Sequence, residues 1–255
     1  MRATRIVFLL VHICLTQVAW AQLIEADFSN NCFTDDFTES TKGWEQNSNM
    51  DKLYLIQNGQ YLVHRKANRS DVIPVPDLVS SSALEMSVSI AFERHTNKMQ
   101  SAGMVCMVSA AGFYVLEINE KKQYRMWVKA NNEQLLLTDG DKLGWKKSEA
   151  LFQGKLINGI LLRADSGRFD VFFNSVYETS FEDTTLLKGK PGLYVAEDTH
   201  VLFDEVSINC KPLAPKAVKP EPPQVPLTKE QKLTELEKQV EQLQKELQKC
   251  REQKP

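Results

Sequence analysis

The stretch Leu84-Glu85-Met86-Ser87-Val88-Ser89-Ile90-Ala91-Phe92-Glu93 alternates apolar residues with polar or small ones over ten positions. Successive side chains of a β-strand point to opposite faces, so this alternation predicts a strand with one buried face. The predicted buried set is Met86, Val88, Ile90 and Phe92. The period of two favours a two-layer β architecture over a helical one.

The residues on both sides of this stretch extend the same interpretation. Gly103 to Val108 is a more continuous apolar run, typical of a central strand. Phe113–Asn119 and Tyr124–Lys129 flank the polar loop Glu120–Gln123, which predicts a hairpin. Further strands are predicted at Ile157–Ala164, Arg168–Asn174, Val176–Phe181, Gly192–Ala196 and Val201–Asn209. Many short strands, without a convincing amphipathic helix before residue 228, indicate an all-β sandwich or barrel over residues 22–210.

The N-terminus predicts the compartment. Arg2 and Arg5 precede the apolar run Ile6–Ala19, and small residues stand where signal peptidase would cleave after Ala21. Residues 1–21 therefore read as a secretory signal peptide, and we expect a secreted or periplasmic protein that does not span the membrane. An uncleaved anchor is the alternative, although the run is short for a membrane span.

The composition changes after residue 210. Residues 211–227 contain six of the ten prolines and predict an extended, semi-rigid linker. Residues 228–255 then carry an apolar stripe at alternating spacings of three and four, formed by Leu233, Leu236, Val240, Leu243, Leu247 and Cys250. This heptad pattern predicts a short coiled-coil helix that makes the protein a homo-oligomer, with packing on its own domain as the alternative. Cys250 falls at a d position, which predicts an interchain disulfide.

The other cysteines and the charge restrict the chemistry further. Cys32 precedes the first good strand and Cys210 ends the last, so we favour a Cys32–Cys210 disulfide and read Cys106 as a buried free thiol. No Cys or His spacing matches a zinc site, and we expect neither a metal nor a cofactor. Residues 22–210 have 26 acidic and 19 basic side chains, a net charge of −7, which argues against nucleic acid as a partner.

Several local sequences resemble one superfamily. They are Phe37 with Gly43-Trp44, Asn58–Tyr61, Gly112–Asn119 with Gln123–Trp127, Gly189–Val195 and Val201–Val206. Together they resemble secreted concanavalin A-like domains, and the nearest likeness is to the bacterial group of unknown function that includes proposed 3-keto-disaccharide hydrolases. Over residues 30–210, the resemblance implies a jelly-roll sandwich of two antiparallel sheets, one of them concave, with carbohydrate as the usual ligand class.

The acidic residues argue against a glucanase site. Retaining glucanases of this fold carry carboxylates at alternate positions of one strand, where they face the same cleft. The nearest match here, Glu117–Glu120, runs into a turn. Asp204 and Glu205 are adjacent, so strict alternation predicts that they face opposite sides of their strand. We therefore expect no catalytic pair, although carboxylates of different strands could converge.

The candidate ligand-binding residues lie on the hairpin face that points away from the predicted core. Tyr124, Met126 and Val128 would face the core with Tyr114, Leu116 and Ile118. The opposite face then carries Trp127, Arg125 and Glu117, an aromatic ring with charged groups at its edge, as sugar binding requires. Arg163 and Trp145 are further candidates. The alternative is structural: Trp127 would be covered by a loop, and Arg125–Glu117 would be a cross-strand pair.

Three functions follow from these patterns. The first is a secreted, non-catalytic sandwich that binds a glycan or another surface ligand and is multiplied by its C-terminal helix. The second is a glycoside-cleaving enzyme of the 3-keto type with dispersed carboxylates. The third is a structural protein of the cell envelope.

Overall fold

The computed structural model describes residues 28–39, 42–66, 69–93 and 99–211. The predicted signal peptide, the linker beyond Lys211, the C-terminal helix and Cys250 lie outside the described residues. Within the described ranges no helix has the length and apolar character needed to cross a membrane.

The described chain is built from β-strands that pair antiparallel. In chain order they are β1 (Asn30–Asp35), β2 (Asn47–Ser48), β3 (Lys52–Gln57), β4 (Gln60–Arg65), β5 (Asp71–Pro74), β6 (Ala83–Phe92), β7 (Ser101–Ser109), β8 (Gly112–Asn119), β9 (Gln123–Ala130), β10 (Glu133–Leu136), β11 (Lys146–Lys147), β12 (Asn158–Asp165), β13 (Arg168–Phe173), β14 (Val176–Glu182), β15 (Lys190–Val195) and β16 (Thr199–Cys210). The predicted strands are confirmed, most of them to within one or two residues at each end.

Two sheets form the sandwich. The nine-stranded sheet has the order β14-β13-β12-β6-β16-β4-β3-β2, with β1 beside the second half of β16. The seven-stranded sheet has the order β10-β9-β8-β7-β15-β5, with β11 beside the start of β9. This arrangement confirms the predicted all-β fold of two antiparallel sheets.

The core lies between the sheets and follows the predicted alternation. Met86, Val88, Ile90 and Phe92 of β6 are all buried in it, whereas the residues between them are partly exposed. The central position of β7 explains its continuous apolar run, since strands cover both of its edges and side chains cover both of its faces. Burying one face of each sheet supplies the main free energy that holds the two layers together.

A disulfide joins the two ends of the sandwich. Cys32 in β1 is bonded to Cys210 at the end of β16, across 178 residues of sequence and a Cα–Cα distance of 5.9 Å. The pairing predicted from position is therefore confirmed. Cys106 is buried in the core as a free thiol, as the sequence also predicted.

Candidate functional site

The hairpin β8–β9 brings three of the predicted residues together on the outer face of the seven-stranded sheet. Glu117 and Arg125 are directly opposite each other in the register, and Trp127 stands opposite Val115, two pairs further along and so on the same face. The other face of the hairpin lies in the core, as predicted. Opposite residues of an antiparallel pair share a face, which is why these side chains meet.

Glu117 is the centre of a buried polar network. Its side chain is fully buried, with an exposure of 0%. Its carboxylate accepts hydrogen bonds from Ser101 Oγ at 2.5 Å, Arg125 Nε at 2.7 Å and Trp127 Nε1 at 2.7 Å. A buried carboxylate is costly unless a cation and several donors compensate for lost hydration, and this site supplies both.

Trp145 completes the network from the loop that follows β10. The guanidinium carbon of Arg125 lies 4.4 Å from the centre of the Trp145 ring, and Arg125 Nη1 donates to the carbonyl of Leu143 at 3.1 Å. The guanidinium is thus held by a carboxylate, a ring face and a backbone carbonyl. We call Ser101, Glu117, Arg125, Trp127 and Trp145 the Glu117 cluster.

Trp127 is only 5% exposed. Its ring makes edge-to-face contacts with Phe113 at 5.9 Å and with Tyr194 at 5.7 Å between ring centroids. With Val105 and Val115 these rings form a second, smaller core on the outer face of the sheet. Burial, followed by the negative charge of Glu117, raises the pKa of Tyr194.

Trp127 is therefore a covered ring and not an open aromatic platform. The alternation placed the ring on the correct face, but a period of two cannot show whether neighbouring rings and a loop cover that face. The arrangement seen is the structural alternative, a covered tryptophan beside a cross-strand ion pair. Ligand binding by Trp127, Arg125, Glu117 and Trp145 stays a prediction, and it would require this cover to move.

Arg163, the fifth predicted residue, belongs to the other sheet. It lies on β12, where its Nε donates to Glu85 Oε2 on the neighbouring strand β6 at 2.6 Å. Its guanidinium carbon is 5.1 Å from the centre of the Phe172 ring. Unlike the Glu117 cluster, Arg163 lines an open groove, which we call the β12 groove.

The β12 groove lies on the outer face of the nine-stranded sheet and has a volume of about 540 Å³. Small residues of two central strands, Ser87, Ser89 and Gly159, form its floor. Its other lining side chains include one aromatic ring, one guanidinium, one carboxylate and one amide, from Phe172, Arg163, Glu205 and Asn174. Its volume is within the range of small-molecule sites, roughly 300–1,000 Å³.

A β-bulge keeps two neighbouring carboxylates outside the core, against expectation, and one of them, Glu205, lines this groove. The register of β16 shifts between Phe203 and Val206, so that Asp204 and Glu205 together oppose the single residue Ser89. Phe203 and Val206 are both fully buried, whereas Asp204 is partly exposed and Glu205 is exposed. Strict alternation predicted opposite faces for the two acids. The extra residue of the bulge keeps both of them outside the core.

Two asparagines hold one end of the groove in place. Asn174 Oδ1 accepts from the backbone of Gly159 at 2.8 Å, and its Nδ2 donates to Asn158 Oδ1 at 3.1 Å and to the carbonyl of Ala150 at 2.6 Å. Asn174 and Ser175 have φ values of 49° and 68°, the left-handed pair that a two-residue hairpin turn requires. The turn therefore presents Asn174 at the edge of the groove in one fixed orientation.

Small residues at outward strand positions mark the groove in the sequence, but the alternating pattern alone does not identify it. Ser87 and Ser89 occupy outward positions of β6, and Gly159 lies opposite Ser89 on β12. Small residues at paired outward positions predict a depression in a sheet, but only when the strand order is known. No group of three His, Cys, Asp or Glu side chains that could hold a metal ion occurs within the described ranges.

Comparisons with known proteins support the fold. No family model and no curated protein sequence matches the chain. Among solved structures, the carbohydrate-binding module CBM66 from Bacillus subtilis superposes with a TM-score of 0.54 at 13% identity, covering 66% of this chain and 96% of that one. A protein of unknown function with a galectin-like fold from Bacillus subtilis gives a TM-score of 0.54 at 8% identity, covering 71% and 96%.

An enzyme has the same fold. The GlcNAcα1-4Gal-releasing endo-β-galactosidase from Clostridium perfringens gives a TM-score of 0.52 at 11% identity, covering 74% of this chain and 64% of that one. These comparisons support a two-sheet β-sandwich fold. At such low identity the likeness shows the fold alone.

Proposed function

We propose that this chain is an exported, non-catalytic glycan-binding protein whose ligand site is the β12 groove. The observation that carries the proposal is the composition of that groove, an open depression in which polar side chains surround an aromatic ring. Its fold, shared with a carbohydrate-binding module, is compatible with this function.

The groove contains the groups that a sugar needs. Sugar hydroxyls both donate and accept hydrogen bonds. Ser87 and Ser89 can do the same, while the Glu205 carboxylate and the remaining lone pair of Asn174 Oδ1 can accept. The apolar face of a sugar ring needs an aromatic surface, which Phe172 supplies. The ring of Phe172 is held by Arg163 on one side and by an edge-to-face contact with Tyr177 at 5.6 Å. Fixed side chains lose little entropy when a ligand binds.

A glycan array followed by calorimetry tests this site. We expect Phe172→Ala and Glu205→Gln each to weaken binding of the selected glycan by about tenfold, a loss of about 1.4 kcal/mol. Glu133→Gln, an exposed glutamate on β10 of the other sheet, is the matched control and should leave binding unchanged. If both groove variants bind as well as the wild type and Trp127→Ala does not bind, the β12 groove is not the ligand site. The ligand would then bind at the Glu117 cluster.

One observation favours a second function, cleavage of a glycoside. The bulge in β16 leaves two neighbouring carboxylates outside the core, one of them lining the groove. Glycosidases use two carboxyl groups, one as acid and one as nucleophile or base. An enzyme of the 3-keto-disaccharide hydrolase type, which the sequence resembles, is therefore the alternative. Release of reducing sugar by the wild-type protein, abolished in Glu205→Gln, would support it over the binding function.

The proposal extends to compartment and assembly. The apolar N-terminal leader and the Cys32–Cys210 disulfide both fit an oxidising, extracytoplasmic compartment. Self-association through residues 228–255 would multiply a weak glycan site, because linked sites raise avidity without new contacts. Non-reducing electrophoresis should show a covalent dimer that is lost in Cys250→Ser. A monomer in both proteins would contradict the interchain disulfide.

A further inference from the structure

A second depression, formed by the β8–β9 turn and residues 147–153, has a different charge. It has a volume of about 490 Å³ and is lined by Lys121, Lys122, Gln123, Lys147, Ser148, Glu149 and Gln153. We call it the lysine hollow. Its lining has three positive charges and one negative charge, whereas residues 22–210 as a whole have a net charge of −7. The hollow is therefore a local positive region on an acidic body.

The backbone holds the lysines together. Lys121 and Lys122 lie in the β8–β9 turn, where Asn119 Oδ1 accepts from the backbone N–H groups of Lys121 at 2.9 Å and Gln123 at 3.2 Å. Lys147 lies on β11, directly opposite Gln123 in the register. The N–H of Ser148 also donates to the carbonyl of Lys122 at 3.0 Å. These bonds fix the positions from which the lysine side chains reach into the hollow.

The hollow already contains a carboxylate of its own. Lys122 Nζ lies 2.9 Å from Glu149 Oε2, and the Glu149 side chain is otherwise almost fully exposed. The hydrogen bond from Lys122, followed by the charges of Lys122 and Lys147, lowers the pKa of Glu149. Lys122 therefore already holds an anionic group at this place, and a ligand anion can replace it.

From this arrangement we infer that the lysine hollow is a second binding site, which takes a carboxylate or sulfate group of an acidic polysaccharide. The three lysines would hold the anionic group, and the side chains of Gln123, Gln153 and Ser148 offer hydrogen bonds to neighbouring hydroxyls. A sugar that carries both kinds of group suits this lining better than a nucleic acid, whose closely spaced phosphates would meet the acidic body. Glu149 acts as a built-in competitor.

Affinity electrophoresis against dextran sulfate, polygalacturonate and neutral dextran tests the inference. We expect the two acidic polymers, but not neutral dextran, to retard the protein. Lys122→Gln and Lys147→Gln should each weaken binding by about three- to fivefold, and raised salt should weaken it further. Glu149→Gln should strengthen binding by a similar factor, because the competing carboxylate is gone. Lys188→Gln removes an equal charge at an exposed position outside the hollow and is the matched control.

The outcomes separate this site from simple ion exchange and from the β12 groove. An equal loss in Lys188→Gln and Lys122→Gln would overturn the inference, since any surface lysine would then serve. So would the absence of retardation by both acidic polymers, or unchanged binding in Glu149→Gln. Phe172→Ala should retain binding to the acidic polymers. The test of the lysine hollow is therefore independent of whether neutral glycans bind the β12 groove.

Discussion

Replacing Glu117 by leucine removes the acceptor that three donors share. Ser101 Oγ and Trp127 Nε1 would remain buried without their carboxylate, and Arg125 would lose its counter-ion. An unsatisfied buried donor costs about 1–3 kcal/mol. The Arg125 side chain is 18% exposed, so water screens part of its charge. Loss of the ion pair with Glu117 therefore adds only about 1 kcal/mol. We expect Glu117→Leu to lower the free energy of unfolding by about 5 kcal/mol.

Glu117→Gln is the milder companion. Its amide oxygen can still accept from Arg125 and Trp127, and the hydroxyl of Ser101 can turn to accept from the new NH₂ group. The bonds from Arg125 and Trp127 lose their charge assistance, which costs about 1 kcal/mol for each bond, or about 2 kcal/mol in all. With a urea m-value of about 2 kcal/mol/M, the unfolding midpoint should fall by about 1 M.

Tryptophan fluorescence during urea unfolding is the assay. Trp44, Trp127 and Trp145 all lie within the sandwich, so in a protein without residues 1–21 the signal reports this domain. Adding Arg125→Met to Glu117→Leu removes the unpaired cation. We expect the double variant to be less destabilised than the sum of the single variants, by at least about 1 kcal/mol. Strictly additive effects, or a loss below about 1 kcal/mol in Glu117→Leu, would refute the reasoning.

Three further predictions concern sulfur and pH. Reducing the Cys32–Cys210 bond should lower the free energy of unfolding by up to about 5 kcal/mol, the value that the chain-entropy model gives for so long a loop. As a control, a Cys32→Ser/Cys210→Ser variant should unfold at the same urea concentration with or without reductant. Burial raises the pKa of Cys106 to about 12. In a Cys250→Ser variant, a thiol reagent at pH 8 should therefore label Cys106 only after denaturation. Rapid labelling of the native protein would contradict its burial. Burial also raises the pKa of five tyrosines, so these groups ionise at lower pH in the unfolded chain than in the native one. Their contribution to stability should be complete below pH 9 and fall as the pH rises above about 10. A urea midpoint that stays constant up to pH 11 would contradict this. These tyrosines are Tyr54, Tyr61, Tyr114, Tyr124 and Tyr194.

The fold was predictable because burial with a period of two is recorded directly in the sequence. The alternation in β6 identified its core face, and the hairpin pattern placed Glu117, Arg125 and Trp127 on one surface. Position alone indicated the Cys32–Cys210 pairing, since the two cysteines lie in the first and last strands. All of these inferences depend on local pattern or on the ends of the domain.

The candidate site was less predictable, because it depends on contacts between strands that are distant in sequence. Nothing in β9 indicates that Tyr194 of β15 packs against Trp127, which closes the expected platform. The bulge at Asp204 and Glu205 breaks the alternation without a glycine or proline to mark it. The sequence offers Arg163 as a candidate, but only the strand order shows that it lines a groove on the other sheet.

The bond between β1 and β16 also determines how the domain would carry mechanical load. The chain leaves the described sandwich just after Cys210, and it enters just before Cys32. Tension applied between the two ends would therefore run through the sulfur–sulfur link and bypass the strands that lie between them. Pulling an oxidised molecule by its termini should extend only the segments outside the linked pair, whereas a reduced molecule should release the length of the whole sandwich.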